Sequence, residues 1–190
     1  MQVIIRQATP ADASTLAAAL AMAIGEAAAT SYCGARHRDV LQQLARMENT
    51  QYSYRNALVA EADGHPAGAI VGYDGARLRE LRTPTLRFIE RCTGKTFEPQ
   101  DETMPGEFYL DYLGVYPEFR NRGVGGKLLC AMRDKAFAEG HTRVGLLVDN
   151  ENPKAERLYR SLGFQRVERR DLWGHVMWHM QATRPQADDR

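Results

Sequence analysis

The sequence predicts a single mixed α/β domain, and three observations carry that reading. First, 190 residues that are 44% hydrophobic and 26% charged suit one domain, of a size that buries close to about 70% of its unfolded surface. Second, short β-branched runs alternate with longer stretches whose apolar residues recur every three or four positions. Third, a glycine-rich turn links a strand pattern to a helix pattern near residue 123. Disordered, collagen-like and fibrous chains are excluded by this composition.

Charge narrows the function classes. Lys+Arg number 25 against 24 Asp+Glu, a formal net charge of +1, so no long-range field draws in nucleic acid or anionic lipid, and neither is an expected partner. The N-terminus MQVIIRQATPADAS lacks the pattern of a signal peptide, and no run approaches the roughly 20 apolar residues of a membrane span. Cys33, Cys92 and Cys130 are odd in number and lack metal-ligand spacing, so reduced thiols and a cytoplasmic location are expected.

Val3 to Gln7 reads as a strand, and Thr9-Pro10 with Asp12 then opens an Ala/Leu-rich helix to about Ala29. A second helix is predicted from Arg36 to Glu48, where Val40, Leu41, Leu44 and Met47 share a face. The run ALVAEADGHPAGAIVGY reads as a hairpin turning at Asp63-Gly64. Between Asp74 and Gly106 periodicity fades except for a short helix near Thr85 to Cys92, and this segment reads as an insertion leaving the core. Glu107 to Val115 is a strand, and an amphipathic helix follows it, stopped by Gly140. Arg143 to Asp149 is another strand. Asn152-Pro153 begins a helix closed by Gly163, with Asn152 as its cap. Phe164 to Arg170 and Trp173 to Met180 are the final strands. The domain is expected to cover 1–181, with an insertion at 74–106 and a frayed tail at 182–190.

The sharpest local pattern is Arg120-Asn121-Arg122-Gly123-Val124-Gly125-Gly126-Lys127. Glycines let several backbone N–H groups converge on one anion, the helix N-terminus adds about half a positive charge, and three cations stand nearby. A phosphate or pyrophosphate fits such a turn; a plain strand-to-helix turn with solvated arginines is the alternative. A dinucleotide fingerprint or a P-loop is excluded, because Leu128 stands where the first needs a small residue and the second a hydroxyl.

The run LGVYPEFRNRGVGG followed by NPKAERLYRSLGF resembles the GNAT superfamily of acyl-CoA-dependent N-acetyltransferases. Arg120, Gly123 and Gly125 meet its acyl-CoA signature; Asn152, Ala155, Leu158, Tyr159, Gly163 and Phe164 meet its second signature. The resemblance implies a mixed, mostly antiparallel sheet of six to seven strands flanked by helices, with acetyl-CoA as acyl donor in a cleft between the fourth and fifth strands. It implies transfer to a primary amine of a small molecule or peptide by direct attack in a ternary complex. A non-catalytic acyl-CoA-binding module and a protein N-terminal or lysine acetyltransferase are the alternatives. No metal is implied.

By the same resemblance Leu113, Gly114 and Val115 offer backbone groups to the acyl carbonyl and pantetheine arm, and Arg120 through Gly126 hold the pyrophosphate. Asn152 bridges to the pantetheine arm, or only caps its helix. Tyr159 protonates the departing sulfur; on periodicity alone it is an ordinary core tyrosine. Strand alternation puts Glu107, Tyr109 and Asp111 on one face and Phe108, Leu110 and Tyr112 on the other. Asp111, then Glu107, are candidate bases for an alkylammonium of pKa about 10.4, unless that face is merely solvated. The insertion is either a lid over the acceptor or a homodimer contact. His175 and His179 alternate with Val176, Trp178 and Met180, which marks a strand and not a metal-binding helix.

Overall fold

The computed structural model describes residues 1–185. Within them lie seven strands: β1 (Val3–Gln7), β2 (Ala57–Ala62), β3 (His65–Asp74), β4 (Phe108–Val115), β5 (Arg143–Asp149), β6 (Gln165–Leu172) and β7 (His175–Thr183). Six α-helices accompany them: α1 (Ala13–Ile24), α2 (Glu26–Cys33), α3 (His37–Arg46), α4 (Leu78–Thr93), α5 (Val124–Ala138) and α6 (Pro153–Ser161). The strands form one sheet in the order β1-β2-β3-β4-β5-β7-β6. Only β4 and β5 run parallel; every other pair is antiparallel. The mixed, mostly antiparallel sheet flanked by helices is therefore as expected.

Period-two alternation divides the apolar side chains between two cores. Val59, Val71, Tyr73 and Tyr109 face one layer, packed with Leu16 and Leu20 of α1, Leu41 and Leu44 of α3, and Leu81 and Ile89 of α4. Leu58, Ile70, Phe108, Leu110, Val144, Leu146 and Val148 face the other, against Leu128, Leu129 and Met132 of α5, with α6 at its margin. Helix α1 lies directly on β4: a Cβ added at Gly114 would stand 2.3 Å from the Ala19 carbonyl oxygen.

Four expectations need correction. The helix predicted to about Ala29 is two helices that bend by 112°, because Gly25 takes φ +89 and so breaks the α-helical backbone. The segment 74–106 does not leave the core. Its short helix is in fact the 16-residue α4, which passes through Pro84 because Leu78, Leu81, Thr85 and Ile89 are buried on both sides of that residue. This packing outweighs a mid-helix proline cost of about 3 kcal/mol. Trp173-Gly174 forms the positive-φ turn between β6 and β7, where a strand start was expected. Finally, β7 continues through the buried Ala182 to Thr183, and the Arg184 N–H donates to the Thr142 carbonyl at 2.9 Å; the expected frayed tail otherwise lies outside the described residues. No single helix among the described residues is long and apolar enough to cross a membrane.

Candidate active site

The sheet opens at one place. Strands β4 and β5 pair at Phe108↔Val144, Tyr109↔Gly145 and Leu110↔Leu146, and no ladder pair joins them beyond Leu110. At that point β4 carries a bulge: Leu110 pairs with Gly72 and Tyr112 with Val71, so Asp111 has no partner residue on β3. A bulge shifts side-chain parity by one. Tyr112 consequently joins Tyr109 in the α1–α4 core, while Leu113 and Val115 turn to the α5 side. The expected face of Phe108, Leu110 and Tyr112 is thus split, and Tyr112 belongs to the opposite layer.

On the α5 side, Asn121 and Gly123 take φ of +59 and +79, backbone of the kind that lets successive N–H groups converge. Gly125 and Gly126 lie in the first turn of α5, packed near Leu113, Val115 and Leu158, with added Cβ atoms 3.7 to 4.0 Å from these side chains. Strand end, glycine turn and α6 therefore meet. Arg120 Nε donates to the Val115 carbonyl at 2.9 Å, and Lys154 Nζ donates to Asn121 Oδ1 at 2.9 Å, fixing α6 beside the turn. Arg122 and Lys127 have no ion-pair partner among the described residues. A turn of this backbone shape at a helix N-terminus, with two unpaired cations beside it, is of the kind that can hold a phosphate-bearing ligand.

Asn152 Oδ1 accepts from the Ala155 N–H at 3.1 Å, so the capping role is realised. Tyr159 stacks edge-on against Phe164 with centroids 6.2 Å apart, and burial raises its phenol above the usual value. Its hydroxyl has no hydrogen-bond partner among the described residues, leaving a protonated donor available at neutral pH.

On the α1–α4 side, Asp111 is half-buried. The Tyr73 hydroxyl donates to Asp111 Oδ2 at 3.1 Å, and Gln51 Nε2 donates to that hydroxyl at 3.1 Å and to Glu102 Oε1 at 3.2 Å. Glu102 also pairs with Arg82, which donates to Asp101 Oδ1 at 2.6 Å. Burial, helped by the Glu102 charge, pushes the Asp111 carboxyl up to about 7. A carboxyl near neutrality can take a proton from an ammonium and release it again.

Glu107 is placed differently. Its carboxylate crosses over Gly145, where an added Cβ would stand 2.0 Å from Oε2. It accepts from Thr103 Oγ1 at 2.6 Å, from Gln181 Nε2 at 2.7 Å and from His179 Nε2 at 2.8 Å. Burial alone would raise its pKa, but these hydrogen bonds outweigh burial and hold it below the usual carboxylate range. It sits where β4 and β5 are still paired, at 2% exposure, and ties β4 to β7. The structure thus separates two carboxylates that alternation had grouped together.

Sequence reasoning missed Gln51, Tyr52, Tyr73 and the burial of His179, while Arg82 and Glu102 were legible only as two of the many charges of segment 74–106. These residues share no spacing; only the fold brings Gln51, Tyr73, Arg82 and Glu102 to Asp111.

A model described as the acetyltransferase (GNAT) family matches residues 24–164. The N-alpha-acetyltransferase RimI of Mycobacterium tuberculosis is 37% identical over 95 residues, 47% of this chain, and the match spans 58% of that protein's length. A solved structure described as an acetyltransferase superposes with TM-score 0.81 at 31% identity, covering 95% of this chain and 98% of that one. An N-acetyltransferase from Staphylococcus aureus Mu50 superposes with TM-score 0.77 at 22% identity, covering 94% and 100% respectively, a likeness of fold.

Proposed function

Because the chain belongs to the GNAT acetyltransferase family, we propose that it transfers an acetyl group from acetyl-CoA to a primary amine of a small molecule or peptide, by direct attack in a ternary complex. The opening between β4 and β5 carries this reading, with a phosphate-type turn and Tyr159 on one side and Asp111 on the other.

The donor's pyrophosphate lies on the turn Arg120 to Gly126, with Arg122 and Lys127 as counter-charges. Leu113, Gly114 and Val115, on the open edge of β4, align the pantetheine arm and polarise the acyl carbonyl, an effect worth about 2.7–4 kcal/mol when such a donor is removed from other enzymes. Asn152 caps α6 and thereby holds Tyr159 in place. The acceptor's ammonium gives a proton to Asp111, and its nitrogen lone pair attacks the thioester carbon. The C–S bond then breaks, sulfur takes a proton from Tyr159, and the second surplus proton of nitrogen leaves to Tyr159 or solvent. Glu107 is the structural member of the pair. The segment 74–106 serves the acceptor side, since it supplies Arg82 and Glu102 to the Asp111 wall. The cytoplasm is the proposed compartment.

The likeness to RimI favours a second reading within the same chemistry, in which the acceptor is a protein N-terminus. Calorimetry with CoA, then thiol release from acetyl-CoA over a panel of amines and N-terminal peptides, tests both readings. Absence of CoA binding overturns the proposal, and tight binding without turnover on any amine makes the chain an acyl-CoA-binding module.

A further inference from the structure

Interior carboxylates among the described residues are held by a cation or by several donors, with one exception. Asp12 is paired with Arg6 and Glu102 with Arg82, and Glu107 accepts from Thr103, Gln181 and His179. Asp111 has only the Tyr73 hydroxyl. A carboxylate withdrawn from water without a counter-charge is costly, so the site is electrostatically incomplete until a cation arrives.

The walls around Asp111 suit one kind of cation. Tyr52 and Tyr112 meet edge-on at 6.2 Å, Tyr73 and Tyr109 at 6.0 Å. Burial, then the Tyr32 hydroxyl and the Asp111 charge, drive the Tyr52 phenol well above its usual value. Tyr52 is half-buried, whereas Tyr73, Tyr109 and Tyr112 are buried. Aromatic walls attract a desolvated ammonium through their ring faces. The cations nearby are already held. Arg82 is bound by Asp101, Glu102 and the carbonyls of Pro99 and Gln100, and Arg170 by Glu168 and the Glu102 carbonyl. Neither guanidinium is therefore left to receive a carboxylate.

We propose that Asp111, beside Tyr73 and the Tyr52–Tyr112 pair, seats the acceptor's ammonium group, and that this site takes primary amines with no carboxylate beside the nitrogen. What happens to the amine after it is seated rests on the acetyltransferase reading; the seating itself does not. An alkylamine, or a peptide N-terminus followed by an amide, fits. A free amino acid does not, because its carboxylate would enter a site that already has an excess of negative charge.

The test is equilibrium binding to the full chain loaded with CoA, read by calorimetry or saturation-transfer NMR at pH 7.5, with n-butylammonium and β-alanine as probes. n-Butylammonium should bind at least about tenfold tighter than β-alanine, and the isosteric Asp111→Asn should weaken n-butylammonium at least about tenfold, as expected for losing a desolvated charge partner. Tyr52→Phe, which keeps the ring, should change affinity less than about threefold, whereas Tyr52→Leu should weaken it by about fivefold or more. Equal affinity for the two probes, or unchanged n-butylammonium affinity in folded Asp111→Asn, overturns the proposal. n-Butylammonium binding as expected with no thiol release from any amine leaves the cation seat standing and removes the transferase reading. Thiol release with Asp111→Asn still binding n-butylammonium normally does the reverse.

Discussion

In the proposed reaction two side chains on opposite sides of the sheet carry the chemistry, and each predicts a distinct kinetic signature. Asp111 must be unprotonated to accept a proton, and burial pushes it up to about 7. The rate is expected to rise through neutral pH, and Asp111→Asn should lower kcat/KM by about 10²-fold or more and flatten that limb of the pH–rate profile. An unchanged limb would assign the titration elsewhere. Tyr159→Phe removes the proton donor to sulfur while keeping the ring against Phe164. It should lower kcat by about 10²-fold, with CoA affinity measured by calorimetry nearly unchanged. Asp111 and Tyr159 were both legible as candidates, and nearness to the acyl site put Asp111 ahead of Glu107, although alternation alone groups the two. What the sequence could not show is their different surroundings, which depend on His179 and Gln181, more than seventy residues away in the chain, and on a bulge that leaves no mark in the residue pattern.

At the scale of elements, α4 and the crossing at Gly145 are the informative pieces. Ile89 is 0% exposed, so Ile89→Ala should cost about 2–5 kcal/mol by chemical denaturation if α4 is part of the core. A loss below about 0.5 kcal/mol, the surface range, would restore the insertion reading. Gly145→Ala puts a methyl where the Glu107 carboxylate lies and should destabilise through the displaced buried hydrogen bonds by about 2 kcal/mol or more. Strands and the α5 and α6 boundaries were readable because glycine, proline and asparagine punctuate them and because alternation is strong there. The pattern shows only the Thr85 to Cys92 part of α4; Pro84 normally ends a helix, and only the burial of Leu78, Leu81, Thr85 and Ile89 on both sides of it accounts for the full length. The bend at Gly25 was invisible because an alanine-rich run has no polar face whose phase shift would reveal it.

For the whole molecule, two carboxylates set opposite pH slopes. The Arg6 guanidinium holds Asp12 at about 2, below its ordinary 3.8, so its stabilisation is present above 3.8 and is lost as pH falls through 2. Asp111 behaves oppositely: the folded chain favours its protonated form, so that stability is full below 3.8 and is lost as pH rises through about 7. Thermal unfolding midpoints should therefore rise from pH 2 to 4 and fall towards pH 7, and Asp111→Asn should remove the fall. In the proposed reaction the glycine turn and Tyr159 lie on one face of the sheet and Asp111 on the other, on either side of the place where the β4–β5 ladder ends. Donor and acceptor can arrive through separate doors, and so can the two products leave. Neither has to wait for the other, so initial-rate plots at varied donor and acceptor should intersect, and either product should be able to depart first.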